Sequence, residues 1–291
     1  MSQWQLSFSN RSAYSRLMRL DKPICTYLLL WPTFWALWIA AEGVPSWHLL
    51  LVFSLGVLVM RSAGCVINDY ADRDIDGHVE RTKLRPIPAG EASAKEALQL
   101  FALLVGGAFL LVLTLDIKTI LLSVGGLALA ASYPFMKRYT HFPQIVLGAA
   151  FSWSIPMVFM ATLGELPAVM WMLYLANLLW TVAYDTLYAM VDREDDVKIG
   201  VKSTAIAFGR FDLTAVALCY AATLALFVII GQNLNWHWPA YTSLVIVSGM
   251  FVMQLWQSRH RQREACFNAF LSNHHVGLLL FVGIACDYAL Y

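Results

Sequence analysis

Charge is what this chain has least of. Only 13% of its 291 residues are Asp, Glu, Lys or Arg, against 59% hydrophobic, a balance that soluble domains do not show. Cysteine is scarce too: Cys25, Cys65, Cys219, Cys266 and Cys286 lie far apart with no C-x-x-C pair. That spacing excludes a thiolate metal site and leaves inert packing thiols. The sequence has neither the alternating polar and apolar pattern of a membrane barrel nor a nucleic-acid-binding motif.

In place of charge there are nearly uncharged apolar segments at about 24–41, 47–67, 96–115, 117–135, 142–162, 167–191, 211–231, 236–257 and 270–290. Each is long enough to cross a hydrocarbon core of roughly 30 Å as a helix. Hydrocarbon offers the backbone no hydrogen bonds, so a helical bundle is the natural solution. The expected fold is therefore all-α: a single polytopic membrane domain, 1–291, of nine transmembrane helices around a central cavity open to the cytoplasmic side.

The few charges test the count. Nine spans place 18 of the 20 basic residues on the N-terminal side of the membrane, with Lys118 alone opposite and Arg61 inside a span. This is the bias of a cytoplasmic face. The first span follows about 22 residues with no small-residue cleavage site, so it reads as a retained anchor rather than a signal peptide. The expected location is a bacterial inner membrane. Trp47, Trp236, Trp238 and Trp256 fall near span ends, where amphipathic rings anchor a helix at the interface.

Against this background two acidic clusters stand out. "GCVINDYADRDIDG" (64–77) ends the second predicted span and "YDTLYAMVDREDDVKIG" (184–200) ends the sixth. Four spans separate the two exits, so both emerge on one side. At 100° per residue, Asn68, Asp72 and Asp76 drift about 40° per step, and Asp185 and Asp192 lie about 20° apart with Asp196 one turn on. Each cluster thus forms a stripe. Asp74 and Glu194 fall opposite, as solvated charges, while Asp69 and Asp195 are geometrically ambiguous.

Like charges on one stripe repel, and aspartate at a helix C-terminus opposes the macrodipole. Solvated loop charge is the plain account of either cluster alone; two clusters on one side ask for a cation. An all-oxygen donor set suits Mg²⁺, which takes one or two carboxylates, waters and substrate phosphate. The loops behind the stripes supply Arg81, Lys83, Arg85, Lys198 and Lys202, where a diphosphate would meet metal and fixed cations together; topological bias accounts for part of this basic charge. Arg61 lies seven residues, about 10 Å, before Asn68 on the same face. A guanidinium there needs an anion, either a stripe aspartate in an ion pair or a bound carboxylate or phosphate. His274 and His275 read as structural hydrogen-bonding groups.

"AGCVINDYADRDIDGHVERTKLRPIPAG" resembles the N-D-x-x-D-x-x-x-D motif of the UbiA-type intramembrane prenyltransferases, and "YDTLYAMVDREDDVKIGVKSTAIAFG" resembles their D-x-x-x-D motif. "RLMRLDKPI", "LLLWPTFWALW", "YPFMKRYTHFPQIVLGAAF" and "SIPM" extend the match over most of the chain, toward the members that act on 4-hydroxybenzoate. The resemblance implies Mg²⁺-dependent transfer of a polyprenyl group from polyprenyl diphosphate to the ring carbon ortho to the phenol of 4-hydroxybenzoate, a step of ubiquinone biosynthesis. It places Asn68, Asp72, Asp76, Asp192 and Asp196 at the metal-diphosphate positions, with Asp69 and Asp185 in less definite roles. Arg61 matches the arginine assigned to the acid's carboxylate, and Tyr133 and Lys137 match a Y-x-x-x-K element. A sister acceptor, a secondary transporter with intramembrane carboxylates and a membrane scaffold are the competing readings.

Overall fold

The computed structural model describes residues 6–78 and 82–291. The described residues are helical, with no strand among them. Two helices come first: α1 (Arg11–Leu17), which is short, and α2 (Ile24–Ala40). α3 (Trp47–Ala71), α4 (Ala94–Val112) and α5 (Ile117–Met136) follow. The middle of the chain forms α6 (Pro143–Ser152), α7 (Ser154–Leu163) and α8 (Ala168–Ile199). After the short α9 (Thr204–Phe208) come α10 (Asp212–Asn233), α11 (Trp238–Ser258) and α12 (Arg263–Leu290).

Local chemistry starts several of these. Ser46 accepts from the Leu49 N–H. Ser93 and Glu96 form a reciprocal capping box. Asp116 accepts from the Lys118 and Thr119 N–H groups, satisfying donors that a helix start leaves open.

Seven stretches are long and apolar enough to cross a bilayer, counting Pro143–Leu163 and Thr204–Asn233 each as one. Ile24–Ala40 is shorter, at 17 residues, and the 32-residue α8 carries the second acidic cluster in its last turns. The outward faces hold Leu51, Leu110, Leu121, Leu218, Val245 and Val252, all more than half exposed. Such surfaces suit lipid rather than water, and the chain is an integral membrane protein.

Three boundaries differ from expectation. The segment 142–162 is two helices broken at Trp153, whose indole N–H donates to Leu122 O at 2.7 Å while its ring fills the space beside Gly125 and Gly126. Pro156 has no N–H to carry a helical hydrogen bond across the break. The sixth segment runs on to Ile199, so the second cluster is helical throughout. The last helix begins seven residues earlier than expected, at Arg263.

The main core joins α2, α7, α8, α10, α11 and α12. Gly277 lets α12 approach closely: a Cβ there would sit 2.7 Å from Trp31 Cδ1. Trp35 donates to Gly277 O at 3.0 Å and Trp180 to Asn273 Oδ1 at 2.8 Å, pairing buried indoles as an apolar medium requires. A second core lies between α1, α3 and α4, around Leu17, Val66 and Leu100.

Candidate active site

The first stripe leaves the helix partway along. α3 ends at Ala71 and Asp72 is its C-cap. The i→i−4 pattern nevertheless persists, with Asp72 N donating to Asn68 O at 2.9 Å and Asp76 N to Asp72 O at 2.8 Å. Asp76 opens a 3₁₀ turn, Asp76–His78, so the stripe is carried by a helix end and a following turn rather than by one continuous helix.

Each aspartate of this stripe already has a cation. Arg19 Nη2 reaches both oxygens of the fully buried Asp69, at 2.7 and 3.0 Å. Arg85 Nη1 bridges Asp69 at 3.1 Å and Asp76 at 2.7 Å. Asp72 Oδ2 pairs with Lys137 Nζ at 2.5 Å and accepts from Asn68 Nδ2 at 3.3 Å. Asp72 Oδ1 is buried and has no hydrogen-bond partner among the described residues. Burial pushes the Asp72 carboxyl above the usual range, against the pull of Lys137.

The second stripe lies on α8. Asp185, Asp192 and Asp196 are all partly exposed, and the helix stops at Gly200, whose φ of 74° suits glycine. The neighbouring charges face elsewhere. Arg193 is held by Asp212 and by Ala205 O. Arg263 takes Glu194 at 2.9 Å and Asp195 at 3.1 Å. Asp195, ambiguous by spacing, therefore belongs with Glu194 on the α12 side. Asp74 is solvated, with its side chain 75% exposed.

A loop after α5 joins the two stripes. Lys137, which holds Asp72, accepts at its carbonyl from the Lys202 N–H at 3.1 Å. Arg138 donates to Ala71 O at the end of α3, and Gln144 Oε1 accepts from the Thr204 N–H at 3.0 Å. Tyr133 sits one turn before Lys137 on α5 and is partly exposed. Both stripes thus open at the same end of the bundle.

The remaining predicted residues divide. Lys198 pairs with Asp195 at 3.5 Å, Lys202 Nζ donates to Tyr139 O at 3.3 Å, Lys83 is exposed, and Arg81 lies outside the described residues. Arg61 is buried, and its two Nη groups are held by backbone carbonyls. Its Nη1 donates to Met18 O at 2.7 Å and Arg19 O at 2.8 Å, and its Nη2 to Lys22 O at 2.5 Å. Nε has no partner among the described residues. Arg61 thereby fixes the turn from which Arg19, at φ 53°, reaches Asp69. Sequence reasoning missed Arg19 as a partner of the stripe and placed Arg85 only in a basic loop; pairings across 50 and 16 positions leave no local signal.

The donor set fits a hard divalent cation. Asp72 presents a buried oxygen with no partner among the described residues, and the stripes offer oxygen ligands only. Among the described residues no three His, Cys, Asp or Glu side chains converge into a closed cage, so phosphate and water would complete the coordination.

An all-helical membrane bundle with two aspartate-bearing helix ends at one mouth has the form of an intramembrane prenyltransferase. Residues 29–280 match the UbiA prenyltransferase family. The chain belongs to that family. It is 57% identical over 280 residues to the 4-hydroxybenzoate octaprenyltransferase of Photobacterium profundum, covering 96% of this chain and 98% of that one. Its fold is similar to the apo structure of a UbiA homologue from Aeropyrum pernix, with a TM-score of 0.80 at 24% identity over 91% of this chain and 98% of the other. It is also similar to a UbiA homologue from Archaeoglobus fulgidus bound to GPP and Mg²⁺, with a TM-score of 0.70 at 18% identity over 95% and 99% of the two chains.

Proposed function

We propose that this protein transfers a polyprenyl group from polyprenyl diphosphate to the ring carbon ortho to the phenol of 4-hydroxybenzoate, the prenylation step of ubiquinone biosynthesis. The observation that carries the reading is the convergence of the Asp72 and Asp192 stripes at one end of the bundle, tied through the Lys137–Lys202 backbone contact. The acceptor is supported by similarity over nearly the whole chain to a protein named for it.

In this reading residues 1–291 form one membrane domain of nine spans in a bacterial inner membrane. The mouth that holds the stripes faces the cytoplasm, as the basic bias supports. Asn68, Asp72, Asp76, Asp192 and Asp196 would hold Mg²⁺ beside the diphosphate. Bound there, Mg²⁺ supplies charge neutralisation for the leaving diphosphate.

The chain's own groups do the rest. Arg81, Lys83, Lys137, Lys198 and Lys202 add positive charge where diphosphate charge develops as the allylic C–O bond breaks, and fixed cations in a water-poor site act strongly there. Asp69 holds Arg19 and Arg85 in place. Asp185 and Tyr133 border the interior where the allyl cation meets the ring carbon, whose proton is then lost to the departed diphosphate to restore aromaticity, and excluding water protects that cation from hydrolysis. Arg61 Nε is the donor left for the acceptor's carboxylate. The polyprenyl tail keeps the donor in lipid, at about 0.8 kcal/mol per buried CH₂, so the enzyme meets it there.

The test is to incubate membranes containing the protein with labelled 4-hydroxybenzoate, a polyprenyl diphosphate and Mg²⁺, with and without EDTA. A lipid-soluble labelled product that needs the metal is expected. Label taken up into vesicles without being chemically altered would make the protein a transporter.

A further inference from the structure

On the opposite side of α8 from the aspartate stripe, the same basic end of the bundle contains a charged cavity. It has a volume of about 310 Å³ and is lined by Met190, Arg193, Glu194, His260, Arg261 and Arg263. None of these belongs to the diphosphate machinery proposed above. We infer that this cavity is a binding site for the phosphodiester headgroup of an anionic phospholipid.

Charge is the first argument. Arg193 and Arg261 share the single carboxylate of Asp212, which is fully buried; Arg261 reaches it with Nε and Nη2 at 2.8 to 3.1 Å. Arg263 faces Glu194 and Asp195. Three cations therefore meet three carboxylates in the wall, and Arg210 and Arg259 at the rim leave the site with an excess of positive charge.

The second argument is unused donor capacity. Arg193 Nε is buried without a hydrogen-bond partner among the described residues. Arg261 holds a left-handed backbone, φ 55°, a costly conformation for a side chain of this size. It is secured there by Asp212 and by its own Nη2 donating to Arg210 O at 3.0 Å.

The third is the setting, which selects a lipid over a free anion. Arg259 stacks on Trp256 at 3.9 Å and Arg210 on Phe211 at 4.8 Å, and both rings are more than half exposed. Val252 and Met253, exposed on the preceding turn of α11, continue an apolar track from Trp256 toward the bilayer interior. Aromatic rings at the interface beside a basic pocket between spans are what an anionic lipid recognises.

The experiment compares the protein in phosphatidylcholine vesicles with and without phosphatidylglycerol, reading thermal unfolding and the lipid retained in native mass spectrometry. Phosphatidylglycerol is expected to raise the melting temperature and to stay bound. Each arginine removed should weaken its apparent affinity by about fivefold. Arg261→Gln tests the inner wall; should it fail to fold, the exposed pair Arg259→Gln and Arg263→Gln carries the test. Unchanged phosphatidylglycerol dependence in the double variant overturns the assignment. So does an equal thermal shift from inorganic diphosphate in phosphatidylcholine alone that the double variant abolishes, because the site would then take a free anion.

Discussion

Asp72→Asn separates the stability of the site from its chemistry. The substitution keeps the shape of the side chain and one oxygen but removes the charge opposite Lys137 Nζ, 2.5 Å away. Breaking a fully buried pair costs about 3–5 kcal/mol, and here the loss should be smaller. Lys137 is 23% exposed and can turn its ammonium to water, while the i→i−4 backbone contacts at Asn68 and Asp76 do not involve the carboxylate. The expected cost to folding is therefore below about 2 kcal/mol, at the level of a partly exposed pair. The chemistry loses more. A neutral amide in place of the carboxylate whose Oδ1 is buried without a partner removes an electrostatic contribution of about 2.7–4 kcal/mol, or roughly 10²–10³ in rate. The assay is turnover in vesicles at saturating Mg²⁺, set beside fluorescence-detected gel filtration of the same preparation. A folded variant whose turnover stays within about threefold of the parent would remove Asp72 from the metal site.

Asp69→Ala should act the other way: with Arg19 and Arg85 left facing each other, it should cost about 3 kcal/mol of stability, read as a drop in melting temperature in detergent. Arg61→Ala should raise the apparent KM for 4-hydroxybenzoate more than that for the diphosphate, and should expose the Met18–Lys22 turn to protease because three carbonyl contacts are lost; a loss confined to the diphosphate would limit Arg61 to the turn. Gly277→Ala should destabilise by about 1–3 kcal/mol through overpacking against Trp31 and Trp180, with turnover preserved below the new melting temperature.

The helical membrane class could be read from the sequence because hydrocarbon leaves the chain so few options: an apolar run such as 47–67 has nothing to become but a helix, and α3 contains it whole. The aspartate stripes could be read because charge at the end of such a run is conspicuous. The partners could not. Arg61 looks from its letter like an anion site, and backbone carbonyls, which have no letter, take its two Nη groups as well. Arg85 looks like one basic residue among several in its loop, and only the fold shows that it bridges Asp69 and Asp76. The break at Trp153 follows from where an indole finds room beside Gly125 and Gly126. The apolar span stops near 191, but the 100° spacing of Asp185, Asp192 and Asp196 already fits the helix that continues to Ile199.

The pairing of Asp69, Asp72 and Asp76 with Arg19, Arg85 and Lys137 also bears on how the protein is made. The first acidic stripe carries its counterions on the same polypeptide, so its charge is compensated during insertion without a divalent ion. On the proposed reading, metal scarcity would idle finished molecules rather than unfold them.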